Sequence, residues 1–145
     1  MARVIVNLSN KAKVIKDAQK AMVEAVHDVS DDLVRTSSES APHDKGILEQ
    51  SFNKEVVVKG SKIIGIVDYA VVEDNGQGGF NYAYWIHEGD YNLGEGSIEK
   101  ANGGGGVGMS GKSYPVGPKF LSGVLDGEAE TYKEYMQKMM DKQFK

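Results

Sequence analysis

The chain of 145 residues contains no cysteine. Disulfides and thiolate metal sites are therefore excluded. It also lacks a basic excess: 17 Lys and Arg stand against 21 Asp and Glu, a formal net charge of -4. A dedicated nucleic-acid binder, which usually carries a basic face, is not expected. No apolar run approaches the roughly 18 residues a membrane span needs. The opening Met1-Ala2-Arg3-Val4-Ile5-Val6-Asn7 has too short an apolar core for a signal peptide. There are no internal repeats, and the βαβ order of a parallel sheet is missing. The expectation is one soluble domain, intracellular or assembly-bound and away from membranes, long enough to bury a core without staples.

Glycine is abundant and unevenly placed. Thirteen of the 18 glycines lie between Gly76 and Gly117, nine of them from Gly94 onward. Each adds to the entropy lost on ordering, so packed elements rarely carry glycine at that density. The chain accordingly divides into a regular front, a glycine-rich loop over residues 89–117 and a regular tail.

Residues 10–40 read as a helix. Ile15, Ala18, Met22, Ala25, Val29 and Leu33 recur at steps of three or four, with Ser9 or Asn10 as the cap. Ala41-Pro42 ends it, because proline disfavours helical geometry in the residue before it. Val4-Ile5-Val6 reads as a short strand. Val56-Val57-Val58 and Ile63-Ile64 with Ile66-Val67 flank Lys59-Gly60-Ser61, the pattern of a β-hairpin. A second pair is predicted: residues 69–72 lead into the turn signal Glu73-Asp74-Asn75-Gly76, and residues 80–87 return as an aromatic strand. On that strand Phe80, Tyr82, Tyr84 and Ile86 share one face, and Asn81, Ala83, Trp85 and His87 the other.

A second helix is predicted over residues 118–143, with Pro118 in its first turn. Phe120, Leu121, Val124, Leu125, Tyr132, Met136 and Met139 keep helical spacing. Gly123 and Gly127 weaken it by roughly 1 kcal/mol each unless close packing needs them. The class is α+β: an antiparallel sheet of about four strands with both helices packed on one face.

Within the loop, residues 106–113 read GVGMSGKS, which matches the phosphate-loop signature of Gly, four residues, Gly, Lys and Ser. The context does not match. A phosphate loop needs a buried strand before it and a helix starting at the Gly-Lys. Here Ile98 to Gly105 form no strand pattern, and Tyr114-Pro115-Val116-Gly117-Pro118 stop any helix after about one turn. A glycine-dense stretch readily spells the signature, and no cofactor is expected. The three histidines, His27, His43 and His87, lie on separate elements, and none is followed at the spacing of a helical zinc motif. Glu73-Asp74 and Glu88-Gly89-Asp90 are explained by turn chemistry as well as by an acid–base pair. The serines have no His and Asp grouping for a nucleophile. No catalytic or metal-binding residue is expected.

Three segments together resemble a known family. Ser40-Ala41-Pro42-His43-Asp44-Lys45-Gly46-Ile47-Leu48-Glu49-Gln50-Ser51-Phe52 resembles the helix-ending signature of the tail-completion or minor-capsid proteins of long-tailed bacteriophages, through Pro42, Asp44, Gly46, Leu48 and Ser51. Asn81 to Asn92 is similar to that family's Tyr-Ala, apolar pair and Glu-Gly strand end, through Tyr82, Ala83, Glu88 and Gly89. Gly117-Pro118-Lys119-Phe120-Leu121 resembles its entry into the last helix, through Gly117, Phe120 and Leu121. His43 and Lys45 depart from the family's commoner apolar and Thr residues, and the Gly94–Gly111 insertion is not a general family feature.

The resemblance implies a non-enzymatic structural protein of the virion head–tail joint, assembled in the host cytoplasm. Family members form rings, often of six subunits, between the portal-side connector and the tail tube. Self, neighbouring connector and tail-tube proteins, and passing DNA contacted without sequence preference are the implied partners. Mild negative charge fits such a passage, since phosphate attraction depends on Lys and Arg contacts. Residues 89–117 are then expected to be a mobile assembly arm, unprotected from hydrogen exchange in the isolated protein. Assembly contacts are expected at Trp85, His87, Tyr91, Gly104, Gly106, Met109, Lys112 and Tyr114. Two further readings stand beside this one: a protein-binding module using the aromatic strand and the glycine loop, and a small phosphate-loop protein.

Overall fold

The computed structural model describes residues 11–43, 46–73, 80–89 and 91–144. The Val4–Val6 strand, the Ser9 or Asn10 cap, the motif residue Asp44, its neighbour Lys45 and the turn residues Asp74 to Gly76 lie outside the described residues.

Helix α1 (Lys11–Ser40) carries the long periodic stripe. Ala21, Ala25, Val26, Val29 and Leu33 are buried, and the row continues through the small polar residues Thr36, Ser37 and Ser40. The stripe's first part behaves differently: Val14 and Ile15 are exposed, because nothing among the described residues packs against that end. The helix stops at Ala41-Pro42, followed by the single turn α2 (Ile47–Gln50).

Strands β1 (Phe52–Lys59) and β2 (Lys62–Tyr69) form the hairpin, in register from Phe52↔Tyr69 to Lys59↔Lys62. Its two-residue turn has positive φ only at Gly60 (58°), the pattern of a type II′ turn with glycine at its first central position. One hairpin face lies on α1: Gly65 meets Val26 and Ser30 so closely that an added Cβ would collide with both side chains. Lys54 of the same face pairs with Asp31.

Beyond the hairpin the expected four-stranded sheet is not built. Strands β3 (Val72–Glu73) and β4 (Phe80–Asn81) pair over two residues only. The predicted aromatic strand instead turns helical at once, as α3 (Tyr82–Glu88). Ala83 and Ile86, three apart, are buried on its inner side while Tyr84 and Trp85 face outward. The two faces expected from strand alternation are therefore replaced by one helical stripe. Burial of Ala83 and Ile86 outweighs the strand preference of the aromatic residues, which remains a context-dependent preference.

The loop expected over residues 89–117 is likewise corrected. It contains α4 (Glu95–Asn102) and a miniature hairpin of β5 (Gly106–Val107) and β6 (Ser113–Tyr114). Helix α4 docks on the end of α1. Lys100 Nζ donates to the Ser38 and Ala41 carbonyls at 2.8 and 2.5 Å, and pairs with Glu49 at 3.0 Å. It satisfies carbonyls that a helix end leaves open. Burial pulls the Lys100 pKa down against the opposing pull of Glu49.

Helix α5 (Ser122–Gln143) starts four residues later than predicted. Residues 118–121 form turns, with Lys119 at φ 61° and its amide committed to the His87 carbonyl at 2.8 Å. Left-handed backbone at a non-glycine residue is incompatible with a helix running through it. The α5 axis runs antiparallel to α1, since Tyr132 bonds Asp32 at 2.8 Å and Tyr135 bonds Asp28 at 2.5 Å. The class is α+β, as expected, but the arrangement is not two helices side by side on a sheet. Helix α1 is the central element, with the hairpin against it and α5 packed chiefly along it.

Candidate functional site

Two hydrophobic clusters organise the interior. One joins Val29 and Leu33 of α1 to Val124 and Tyr132 of α5, with Met109, Tyr114 and Met136 packed against it. The other joins Ala41, Leu48, Ala83, Ile86 and Phe120, with Tyr69, Tyr82, Tyr91 and Leu121 alongside. The second cluster brings together all three segments on which the family resemblance rests. Pro42 and Gly46 are buried beside it. Ser51 Oγ donates to the Leu48 carbonyl at 2.8 Å, and the Gly89 amide closes α3 on the Trp85 carbonyl at 2.7 Å. The Gly117 amide reaches back to the Ser40 carbonyl at 3.1 Å. Glu88, exposed, pairs with Lys119, and the two hold the start of α5 against the end of α3. Lys119 and His87 both hold the Glu88 pKa below the usual carboxylate range.

The string that spells a phosphate loop folds against two protein carboxylates. The Met109 amide donates to Asp32 Oδ2 at 3.1 Å, and the Ser110 amide to Glu128 Oε1 at 2.7 Å. Ser110 Oγ also donates to Glu128, and Tyr114 Oη donates to it at 2.7 Å. Gly108 leaves the room: a Cβ there would overlap the Glu128 carboxylate. The two consecutive loop amides thus go to different carboxylates, one on α1 and one on α5. Lys112 Nζ donates to the Gly127 carbonyl at 3.3 Å. On the other side, Arg35 donates to the Val107 carbonyl at 3.0 Å, while Ser40 Oγ accepts from the Gly106 amide at 3.1 Å.

Glu128 is fully buried. Burial raises a carboxyl pKa, but the Ser110 and Tyr114 hydrogen bonds outweigh it and hold Glu128 below the usual range. The same contact, added to burial, pushes the Tyr114 hydroxyl up to about 12. Burial, together with the Asp32 hydrogen bond, raises the Tyr132 hydroxyl, and the Asp32 hydrogen bond also raises Arg35.

The residues expected at assembly contacts separate into two groups. Gly106 is buried, Met109 and Tyr114 pack inside, and Lys112 lies against α5, so this part of the arm is already engaged within its own chain. His87 is also internal in role: its Nε2 accepts the Ser122 amide at 3.1 Å, capping α5, while Nδ1 faces Glu88 at 3.0 Å. Tyr91 donates to the Ile86 carbonyl at 2.7 Å, and burial pushes its hydroxyl up to about 12. Trp85 stacks between the rings of Tyr82 and Tyr91 at 6.4 and 5.6 Å and stays 47% exposed. Gly104 is exposed.

A further surface, not singled out from the sequence, is the hairpin. Its outward face carries Ile64 and Ile66, each about two-fifths exposed, and Phe52 and Val58 are exposed as well. Among the described residues β1 and β2 pair only with each other, and neither outer edge carries a further strand. Alternation over residues 62–67 was legible as apolar on both faces, and that was the available signal. Asp32 and Glu128 were missed too. Glu128 sits at the helical step between Val124 and Tyr132, a carboxylate on the buried row.

Among the described residues no three of His, Cys, Asp and Glu are grouped to hold a metal ion, and no helix is long and apolar enough to cross a membrane. Compared with protein-family models, curated proteins and solved structures, the chain finds no match.

Proposed function

We propose that this chain is a structural protein of a phage head–tail connector, a tail-completion or minor-capsid component that works by assembling with copies of itself into a ring and docking to neighbouring connector and tail-tube proteins. The observation that carries it is the hairpin: two eight-residue strands that pair with no other strand among the described residues, and an outward face bearing Ile64 and Ile66. Natural proteins cover or blunt unpaired strand edges, because they pair with other chains. A surface of this kind is consistent with a subunit whose strands are completed by neighbours. The resemblance of three segments to the family adds weight, since in this chain they form one packed cluster. This reading is non-catalytic, and the engagement of Lys112 Nζ and of the Met109 and Ser110 amides by Gly127, Asp32 and Glu128 weighs against the phosphate-loop alternative.

Negative-stain imaging of the purified chain is expected to show closed rings of uniform diameter, and heads and tails made without the chain are expected to accumulate unjoined. A chain that stays monomeric alone and with connector and tail-tube proteins present would sink the reading. The exposed Tyr84 and Trp85 on α3 favour a second reading, a module that holds an unrelated protein. Under it, Trp85→Ala abolishes capture of that partner by a chain that remains monomeric.

A further inference from the structure

An apolar groove of about 350 Å³ runs between the hairpin and α5. Val26 and Leu33 of α1 form its floor, Ile63 and Gly65 of β2 one wall, and Leu125 and Met136 of α5 the other. Leu125 is exposed despite its apolar side chain. Beside this wall, α5 presents Asp126, Glu130 and Glu134 at successive four-residue steps, all exposed, with Lys133 on the same rim. The next step of this row is the exposed Lys138, so the rim carries three carboxylates to two ammonium groups, with the carboxylates Asp126 and Glu130 together at its N-terminal end.

The hairpin has the opposite character. From Val56 to Val67 its only charged residues are Lys59 and Lys62. They face each other directly across the strands, an arrangement that destabilises an isolated pair of strands. Neither forms an ion pair among the described residues. Around them Val58 and Ile64 are exposed.

Within one chain the two surfaces do not meet. Gly65 lies level with Val26 and Ser30, and Tyr132 and Tyr135 lie level with Asp32 and Asp28. At 1.5 Å per helical and 3.3 Å per strand residue, the turn at Gly60 and Asp126 are separated by roughly 30 Å along the axis.

We infer that the occupant of the groove is the hairpin tip of a second copy of this chain, with Ile64 entering the apolar channel and Lys59 and Lys62, which share its hairpin face, meeting Asp126 and Glu130. The inference rests on the ring reading and names its contact. Because the two surfaces differ, the contact is heterologous, the type that closes rings when the rotation between subunits permits. The complementary charges set the register and drop the association with rising salt.

Sedimentation velocity over a range of concentration tests it on the full chain. The wild type is expected to associate, less strongly at high salt. K59E/K62E and D126K/E130K, each confirmed to keep wild-type helical circular dichroism, are expected to raise the apparent Kd by roughly tenfold or more. An equimolar mixture of the two is expected to recover association, since each reversed surface then faces its complement. A wild type that assembles while K59E/K62E assembles equally well, or while the mixture stays monomeric, overturns this contact and leaves the ring reading standing. A wild type that is monomeric at every concentration and with connector and tail-tube proteins present overturns both.

Discussion

At the residue scale, Glu128 shows how a buried charge is kept. It has no exposed surface, yet three donors reach its two oxygens: the Ser110 amide, the Ser110 hydroxyl and the Tyr114 hydroxyl. Their combined effect holds its pKa below the usual value. The sign of the linkage follows. A carboxyl depressed in the folded state contributes stability above its unfolded pKa, about 4.3, and loses it as pH falls through the folded value. Glu128→Gln is therefore expected to destabilise the chain by about 1–3 kcal/mol at pH 7, because its amide cannot accept all three donors. The gap to wild type should narrow below about pH 4 as the wild-type carboxyl is protonated. Chemical denaturation of both proteins at pH 7 and in steps below pH 5 checks this. A gap that widens with acid contradicts the assignment.

At the element scale, two glycines of α5 that look alike in sequence have different reasons to be there. An added Cβ at Gly127 would overlap the Tyr114 ring and hydroxyl, whereas at Gly123 its nearest neighbour is the Lys119 Cβ at an ordinary 3.8 Å. Gly123→Ala is expected to stabilise by roughly 0.5–1 kcal/mol through helix propensity alone. Gly127→Ala is expected to destabilise by about 1–3 kcal/mol, because overpacking displaces Tyr114 from Glu128. Thermal melts of the two variants separate the cases; equal shifts would show that Tyr114 yields freely. The hairpin was legible because its period, its β-branched residues and its Gly60 turn agree. The segment Tyr82–Glu88 was not. Its aromatic residues satisfy strand and helix patterns alike over seven positions, and the choice falls to whichever neighbours bury Ala83 and Ile86.

At the scale of the whole molecule, the glycine-rich region is a connector between the two long helices. Gly106 hydrogen-bonds Ser40 of α1, Met109 bonds Asp32 of α1, and Ser110 bonds Glu128 of α5. In hydrogen exchange, the Gly106, Met109 and Ser110 amides are expected to be protected, contrary to what glycine density alone led one to expect. The first third of α1, where Val14 and Ile15 are exposed, is expected to exchange far faster than Ala25 to Leu33. Free exchange at Met109 and Ser110 together would mean the carboxylate contacts do not persist.

What the sequence by itself determined are the features set by neighbours a few residues apart: the run and end of α1 at Ala41-Pro42, the β1–β2 hairpin, the helical stripe of α5 and hence the α+β class. Periodicity and turn chemistry act within such windows, so they can be read along the chain. Tertiary structure alone decided the fate of residues 82–117. Lys100 caps α1 from 59 or more residues away, Asp32 accepts the Met109 amide across 77, and Glu128 fills the loop that spells a phosphate site. These partners are distant in sequence, and no local pattern announces them. The physical reason is that a backbone amide seeks any buried acceptor, and only the packing of α1 against α5 places the carboxylates there.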